Sequence, residues 1–417
     1  MISIPSTDSL VPRSHRLANG RTLYYFPSDS TDLVKIDLVS ESGSAYQSQP
    51  LVAAAANRLY TVAGGDLSAS QLAEFLDYRG IIIDSNNTIT HCSTSFYTLA
   101  RHLDALLPVV DDLVRRPLFP EVDFDVYWRE RRQKIASAQM KSSDMARRVF
   151  YDALFGPRHP LGRYAVPEDA DRLSLDEVKR FYAERHRAED LTIVLSGHVD
   201  DCLLQAIDDR FGHSTPGDAL PRITFAGTPI VDPSRRDYPI AGAVQTTVRV
   251  GRLLTLAWDD PDYARLMLLV TLLGGYFGSR LMSNLREDKG YTYGIYARTQ
   301  IYRGAIVFYI TADVAGDAAA DAEREIMHEL QRLVDEPVAD DELNLVRTVL
   351  VGDFLRSVDG IFERSTRFID MLGTDVTERF TDNLRQALLT ATTADLQRLA
   401  ATHLAPGLMT VCRAGAL

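Results

Sequence analysis

The sequence predicts an α+β fold made of two similar halves, each a mostly antiparallel sheet packed with helices. Three observations support this prediction. Several segments recur in the same order along the chain, both halves show the same succession of patterns, and strands and helices occur in separate runs. At 417 residues the chain is also too long for one ordinary hydrophobic core.

An internal repeat is the most informative of these observations. Residues 51–84 resemble residues 263–294, and further matches follow at a nearly constant offset. Three matched sets in one order indicate an ancient tandem duplication. The matched positions are Gly64-Gly65 with Gly274-Gly275, Phe75 with Leu285, Gly80 with Gly290, Leu113-Val114 and Pro117 with Leu333-Val334 and Pro337, and His186 and 191–194 with His403 and 408–411.

Each half is expected to open with one strand and two helices. Val34–Val39 and Thr246–Val250 carry the alternating pattern of strands. The helix that follows is expected to end at the Gly-Gly pair, because glycine adopts the left-handed C-cap conformation easily. A second amphipathic helix is expected to end at Gly80 in one half and Gly290 in the other.

Further strands and a long helix complete each half. Alternation predicts strands over Ile81–Phe96 and Tyr291–Ala312. Each long helix is expected to stop just before a proline, because the residue preceding proline disfavours helical geometry. The predicted helices are about Leu99–Arg116 and Ala315–Asp335, and the closing strands are Leu191–Ser196 and Leu408–Arg413.

These patterns predict two domains joined by a linker. The first domain is expected to span residues 1–215, the linker 216–240 and the second domain 241–417. Proline and glycine are enriched in the predicted linker, where they favour irregular structure. The residues concerned are Pro216, Gly217, Pro221, Pro229, Pro233 and Pro239.

The composition argues against several classes of partner. The net charge of −12 and the pI near 5.3 disfavour a nucleic-acid surface, which needs clustered lysine and arginine. The basic run Arg129–Arg132 with Lys134 is mixed with acids and is typical of a solvated helix face. The three cysteines are too few and too scattered for a disulfide framework or a thiolate metal site.

No targeting or membrane segment is apparent in the sequence. The N-terminal segment Met1–Asp8 has neither a basic region nor an apolar core, so we expect no signal peptide and, by default, a cytoplasmic location. A periplasmic location stays open if a signal has been removed. No apolar stretch reaches the ~18–20 residues of a membrane span.

Arg286 and Tyr293 are the candidate functional residues. A helix end followed by a strand can bring them to one surface, where a guanidinium and a phenol suit a peptide carbonyl or its developing oxyanion. The matching residues of the first half, Leu76 and Ile83, are apolar. The alternative is that Arg286 pairs with Glu287 or Asp288 and that Tyr293 is an ordinary strand residue.

The second half resembles the second-domain signature of pitrilysin/insulinase-type zinc peptidases, the inverzincins. The resemblance lies in Gly274-Gly-Tyr-Phe-Gly-Ser279-Arg280-Leu281, Leu285-Arg286-Glu287, Gly290 and Tyr293. His159-Pro-Leu-Gly-Arg163 and 173–182 resemble the first domain of that family. The resemblance covers nearly the whole chain and implies that Arg286 and Tyr293 assist substrate binding and transition-state stabilisation.

The zinc motif of that family, H-x-x-E-H, is degenerate in this chain. Alignment on Leu59-Tyr60 places Ala53, Ala56 and Asn57 at its positions, and none of these supplies a zinc ligand or a general base. The segment expected to hold the third ligand, Lys134–Gln139, contains no carboxylate, and the nearest is Glu130, one helical turn away.

The histidines offer no replacement for the lost ligands. No two of the nine are two to four residues apart, the spacing at which a helix brings two imidazoles to one ion. We therefore expect no metal in this chain, with zinc held by a partner subunit. Each histidine is expected to be structural or exposed.

The resemblance implies a specific role for such a chain. Some bacterial members of the family are split, with zinc on one subunit and the Arg/Tyr pair on the other. We expect this chain to be the non-catalytic, peptide-binding partner, inactive alone and part of a metalloendopeptidase only with a zinc-bearing homologous subunit. A homodimer is a further expectation, and the alternative function is that of a scaffolding homologue with no role in proteolysis.

Overall fold

The computed structural model describes residues 11–187, 190–214, 220–227 and 233–417. The segment Met1–Asp8 and the linker residues Pro216, Gly217 and Pro229 lie outside the described residues. The strands are β1 Arg13–Arg16, β2 Thr22–Pro27, β3 Leu33–Ser40, β4 Ile82–Asn87, β5 Cys92–Leu99, β6 Thr192–Gly197, β7 Arg235–Pro239, β8 Gln245–Leu254, β9 Thr292–Tyr302, β10 Ala305–Ala315 and β11 Thr410–Gly415.

Fourteen α-helices accompany these strands in the described part of the chain. They are α1 Val52–Leu59, α2 Ala69–Arg79, α3 Leu103–Arg115, α4 Glu121–Gln139, α5 Ser142–Phe155, α6 Pro167–Asp171, α7 Leu175–Arg185, α8 Asp201–Phe211, α9 Pro261–Gly274, α10 Ala319–Asp335, α11 Asp340–Ser357, α12 Ile361–Thr374, α13 Glu378–Thr390 and α14 Thr393–Leu399. Met282–Asp288 and Ala400–Leu404 are π-helical. None of these helices combines the length and apolarity needed to cross a membrane.

Two sheets with the same strand order form the framework of the molecule. The first has the order β1-β2-β6-β3-β5-β4 and the second β7-β11-β8-β10-β9, so that the second repeats the first without β1. In each sheet the closing strand runs parallel to one neighbour and antiparallel to the other, and all other pairs are antiparallel. The predicted duplication of a mostly antiparallel α+β unit is confirmed.

The repeated residues occupy equivalent places in the two halves. Gly80 and Gly290 both have positive φ, +63° and +66°, where a residue with a Cβ is strained. Pro117 and Pro337 each follow the long helix, α3 or α10. A buried core covers one face of each sheet, made with α1, α2, α3, α7 and α8 in the first half and with α9, α10, α11, α13 and α14 in the second.

The expected left-handed helix caps at the two Gly-Gly pairs are wrong. Helix α1 already ends at Leu59, and the residue that caps α9, Gly275, is right-handed with φ −88°. At two of these positions glycine is needed because a neighbouring segment lies too close to leave room for a Cβ atom. A Cβ on Gly64 would lie 3.0 Å from the Cα of Leu113, and one on Gly274 would lie 2.5 Å from the backbone nitrogen of Ala297.

The two halves exchange one helix each. Helix α5 of the first half packs on β8 and β11, where Phe150 and Leu154 belong to the same hydrophobic cluster as Leu253 and Cys412. Helix α12 of the second half packs on β2 and β6, where Ile369 joins a cluster with other apolar side chains. A broad cleft is left between the halves. The domain boundaries stay a prediction, and β7 lies inside the predicted linker.

Candidate functional site

The residues expected at the zinc-motif positions lie on α1, beside the edge strand β4. Ala53 and Ala56 are fully buried, and Asn57 is almost so. The Asn57 side chain is already used within the fold, because its Nδ2 donates to the Asn86 carbonyl (3.0 Å) and its Oδ1 accepts from the Thr94 hydroxyl (3.3 Å). Asn57 therefore has a structural role at this position.

A cavity of about 330 Å³ beside Asn57 has a positively charged lining. It contains the single carboxylate of Glu130 together with Arg58, Arg131 and Lys134. Of the segment Lys134–Gln139, in which the third ligand is expected, Lys134 lines the cavity. Glu130, one turn earlier, also lines the cavity.

A zinc ion does not fit this set of residues. Zinc sites in proteins use three or four nitrogen, sulfur or carboxylate donors, and here one carboxylate faces three cations. Throughout the described residues no group of histidine, cysteine, aspartate and glutamate is arranged to hold a metal ion. No catalytic step is therefore assigned to a metal of this chain.

Three of the histidines are buried in separate places. Burial lowers the pKa of His91 to about 4 and that of His186 to about 3, and it also lowers the pKa of His403. His186 stacks on Tyr182 with ring centroids 4.8 Å apart. These imidazoles are neutral at physiological pH and act as packed side chains.

Arg286 lies in the π-helical segment Met282–Asp288, a local geometry that is frequent at functional sites. Its guanidinium carbon lies 4.6 Å from the centre of the Phe277 ring. Among the described residues no carboxylate forms an ion pair with Arg286, so the alternative pairing with Glu287 or Asp288 is not found. The guanidinium therefore lies over an aromatic ring, and it forms no hydrogen bond to another described residue.

Tyr293 lies at the start of β9, the outer strand of the second sheet. It is 93% exposed, although tyrosine normally buries much of its ring. The turn before it is fixed, because the Tyr291 backbone N–H donates to the Leu285 carbonyl (2.9 Å). A bulge between Ala312 and Val314 interrupts the pairing of β10 with β9 at this level.

Arg286 and Tyr293 thus flank one short turn at the open edge of the second sheet. Neither lines the large cleft between the halves. The predicted first-half counterparts differ in environment, since Leu76 and Ile83 pack against the first core. The positions matched in sequence are thus apolar in the first half and polar in the second.

The cleft between the halves was not predicted from the sequence. It has a volume of about 1320 Å³ and is lined by both sheets and by α5 and α12. Arg249 of β8 lies in its wall, buried among aromatic rings. In the sequence this arginine has the pattern of an ordinary solvent-facing residue of an alternating strand. Its burial is apparent only in the structure.

Comparison with known sequences relates the chain to peptidases. Residues 172–350 match the family described as "Peptidase M16 inactive domain". A protein of Rickettsia felis named "Uncharacterized zinc protease" is 24% identical over 361 residues, which is 84% of each chain.

Solved structures share the fold. The peptidase M16 inactive domain of Pseudomonas fluorescens superposes with a TM-score of 0.86 at 20% identity, covering 97% of this chain and 98% of that one. The periplasmic protease PqqL of Escherichia coli matches with a TM-score of 0.78 at 14% identity. That match covers all of this chain but 48% of the longer one.

Proposed function

Because the chain carries a peptidase M16 inactive domain and shares its fold with M16 peptidases, we propose that it is a non-catalytic, peptide-binding subunit of a zinc metallopeptidase. Its partner is a homologous chain that holds the zinc. The observation that carries the proposal is the pair Arg286 and Tyr293. The Tyr293 side chain is 93% exposed and Arg286 is partly exposed, and neither side chain is hydrogen-bonded or ion-paired to another described residue.

The charge around Asn57 supports the need for a partner. Arg58, Arg131 and Lys134 line the cavity where the family's metal is expected, and they repel a divalent cation. Hydrolysis by the family's chemistry therefore requires a metal-bound water from another chain. This chain contributes binding and orientation.

The position of Tyr293 on an outer strand supports peptide binding. An outer strand offers unpaired backbone N–H and C=O groups to which an extended peptide can add as a further strand. A peptide added along β9 lies beside Tyr293, and Arg286 lies just before this strand in the chain. The phenol donates one hydrogen bond and the guanidinium several, and both can stabilise the negative charge that develops on an attacked carbonyl oxygen.

The lengths of related structures are consistent with a paired arrangement. This chain matches about half of the PqqL chain, so a unit of this size is joined to a second unit in that protein. A separate zinc-bearing homologue can take the place of the second unit here. When the zinc-bearing homologue is absent, two copies of this chain are expected to pair through the surface that would otherwise contact that homologue.

Mixing tests the proposal directly. The chain is combined with a zinc-bearing M16 subunit encoded by the same genome, and hydrolysis of a quenched fluorescent peptide library is followed. We expect activity from the mixture and none from this chain alone. Arg286→Ala and Tyr293→Phe should lower kcat/KM of the mixture by about tenfold or more, since lost oxyanion donors cost this much or more.

Matched controls separate a functional effect from a general one. Tyr78 is 85% exposed on α2, and Arg324 is exposed on α10, so Tyr78→Phe and Arg324→Ala remove the same groups elsewhere. These variants should leave the kinetics unchanged. If the Arg286 and Tyr293 variants also leave kcat/KM of the mixture unchanged, their assigned role is refuted and the scaffolding alternative is favoured.

A further inference from the structure

Arg249 is a buried cation that no described acid neutralises. It lies on β8, a central strand, and is only 7% exposed. Its Nε is buried and lacks a hydrogen-bond partner, and within the described residues no carboxylate forms an ion pair with the guanidinium. Buried charges in proteins are normally paired, because leaving one unpaired costs several kcal/mol.

Aromatic rings surround the guanidinium instead of acids. Its central carbon lies 4.1 Å from the centre of the Tyr309 ring, 5.2 Å from that of Phe150 and 5.7 Å from that of Tyr151. Such contacts hold the side chain in one position and stabilise part of its charge. Burial nevertheless lowers the pKa of Arg249, so the site favours an added negative charge.

The first half shows how the fold satisfies a buried cation on the equivalent strand. Lys35 of β3 lies 3.1 Å from Asp37 and donates to Ser365 (3.5 Å) and Thr366 (3.3 Å) on the exchanged helix α12. The exchanged helix over Arg249 is α5. Both acids of α5 are paired with other arginines, Asp144 with Arg147 and Asp152 with Arg236.

The cleft next to Arg249 is rich in positive charge. Besides Arg249 its lining contains Arg147, Arg148, Arg163 and Arg367 against the acids Glu363 and Asp370, in a chain whose net charge is −12. At about 1320 Å³ the cleft has room for several residues of a peptide. A local surplus of positive charge in an acidic protein attracts anionic ligands.

A pair of tyrosine hydroxyls in the same wall supplies a further donor. The hydroxyls of Tyr151 and Tyr302 are 2.8 Å apart, and their mutual hydrogen bond uses one of their two hydrogens. Burial raises the pKa of both phenols, so both keep their protons at physiological pH. One hydroxyl hydrogen is left to donate to a ligand.

We propose that the cleft binds a carboxylate through Arg249, with the tyrosine rings packing against the rest of the ligand. The planar guanidinium matches the two oxygens of a carboxylate. The proposal deepens the proposed function, on which it rests for taking the ligand to be a peptide. The carboxylate is then the C-terminus of the peptide or an acidic side chain.

Thermal unfolding of the chain alone tests this site. The probes are N-acetylphenylalanine, which carries a free terminal carboxylate, its amide, which carries none, and N-acetylglutamate 1-amide, which carries a side-chain carboxylate. At about 10 mM a bound probe should raise the Tm by about 2 °C or more. We expect this shift with at least one carboxylate and not with the amide, and the responding probe identifies the source.

Variants locate the binding. Arg249→Met should abolish the shift and Arg249→Lys should reduce it, whereas Arg324→Met, which removes an exposed arginine elsewhere, should preserve it. The proposal is overturned if the amide stabilises as well as the acid, if Arg249→Met keeps the shift, or if inorganic phosphate alone gives the larger shift. The peptidase assay with Arg286 and Tyr293 variants does not enter this test, so the two proposals can fail separately.

Discussion

Arg303 holds Glu41 across the two halves of the molecule. The arginine, 1% exposed, lies in the turn between β9 and β10, and its two terminal nitrogens donate to the two carboxylate oxygens at 3.0 and 2.9 Å. Tyr46 donates a third hydrogen bond to Glu41 (2.7 Å), and Asp375 lies 3.1 Å from the Arg303 Nε. Burial acts to raise the pKa of Glu41, but the hydrogen bonds from Arg303 and Tyr46 outweigh it and lower this pKa.

Glu41→Gln should therefore destabilise the whole chain. Among the described residues it leaves the buried Arg303 with the partly exposed Asp375 as its one counter-charge, and we expect a loss of about 2–3 kcal/mol in the free energy of unfolding. Urea unfolding followed by circular dichroism measures it. The matched control is Asp353→Asn, which breaks an exposed helix pair with Arg356 and should cost less than about 0.5 kcal/mol. Equal effects of the two substitutions would refute the assigned role of Glu41.

His91 should make the fold sensitive to mild acid. Burial lowers its pKa from 6.5 to about 4, so between these values the unfolded chain binds a proton that the folded chain does not. The contribution of the neutral His91 side chain to the free energy of unfolding is fully present above about pH 6.5 and is lost as the pH falls toward 4. We expect about 2 kcal/mol of destabilisation from this residue on going from about pH 7.5 to about pH 5.

A histidine comparison isolates that contribution. Unfolding free energies are measured at both pH values for the wild type, His91→Gln and His213→Gln, the latter at an exposed position. His91→Gln should show a smaller loss on acidification than the wild type, and His213→Gln the same loss. Identical pH dependence of all three proteins would contradict the assignment to His91.

The repeat made much of the fold predictable from the sequence. Strands such as β3 and β8 alternate clearly, and Gly80 and Gly290 end their turns with the positive φ that glycine allows. The exchange of α5 and α12 was not predictable. Each of these helices packs on the sheet of the other half, and amphipathic periodicity shows that a helix has a buried face without showing what covers it.

The candidate site was only partly predictable for a similar reason. Arg286 and Tyr293 are close in sequence, so their position on either side of one turn follows from local patterns. Arg249 and Phe150 are far apart in sequence and meet only because α5 crosses to the second sheet. A strand arginine whose chain neighbours are apolar gives no sign that it is buried and unpaired.

Arg249→Met is expected to stabilise the ligand-free chain. The substitution removes a buried cation that is paired with no acid in the described part of the chain. Methionine retains much of the length that packs against Tyr309 and Phe150. We expect a gain of about 1 kcal/mol, because binding groups are often held at the expense of stability. Thermal and urea unfolding without ligand measure it. A loss of more than about 1 kcal/mol would mean that Arg249 serves the fold instead of a ligand.

Phe150→Ala should unfold both halves together. The Phe150 ring is fully buried on α5 but packs against the second sheet, so its removal leaves a cavity between the halves. We expect a loss of about 3–5 kcal/mol in one cooperative transition. Differential scanning calorimetry measures it, with Val126→Ala at an exposed position of α4 as the control. Two separate transitions, with only the first-half one shifted, would contradict an interlocked structure.

Restoring the zinc motif should not by itself restore zinc binding. The variant Ala53→His/Ala56→Glu/Asn57→His supplies the motif, but it also removes the Asn57 hydrogen bonds to Asn86 and Thr94 and leaves Arg131 and Lys134 facing the metal. Each nearby cation opposes a divalent ion by on the order of 1 kcal/mol. Adding Arg131→Gln and Lys134→Gln should therefore improve the zinc affinity at least about tenfold, measured by competition with a zinc chelator. Arg324→Gln is the charge control. If the variant with the three motif substitutions binds zinc as tightly as the variant with all five substitutions, the positive charge of this cavity does not exclude the metal.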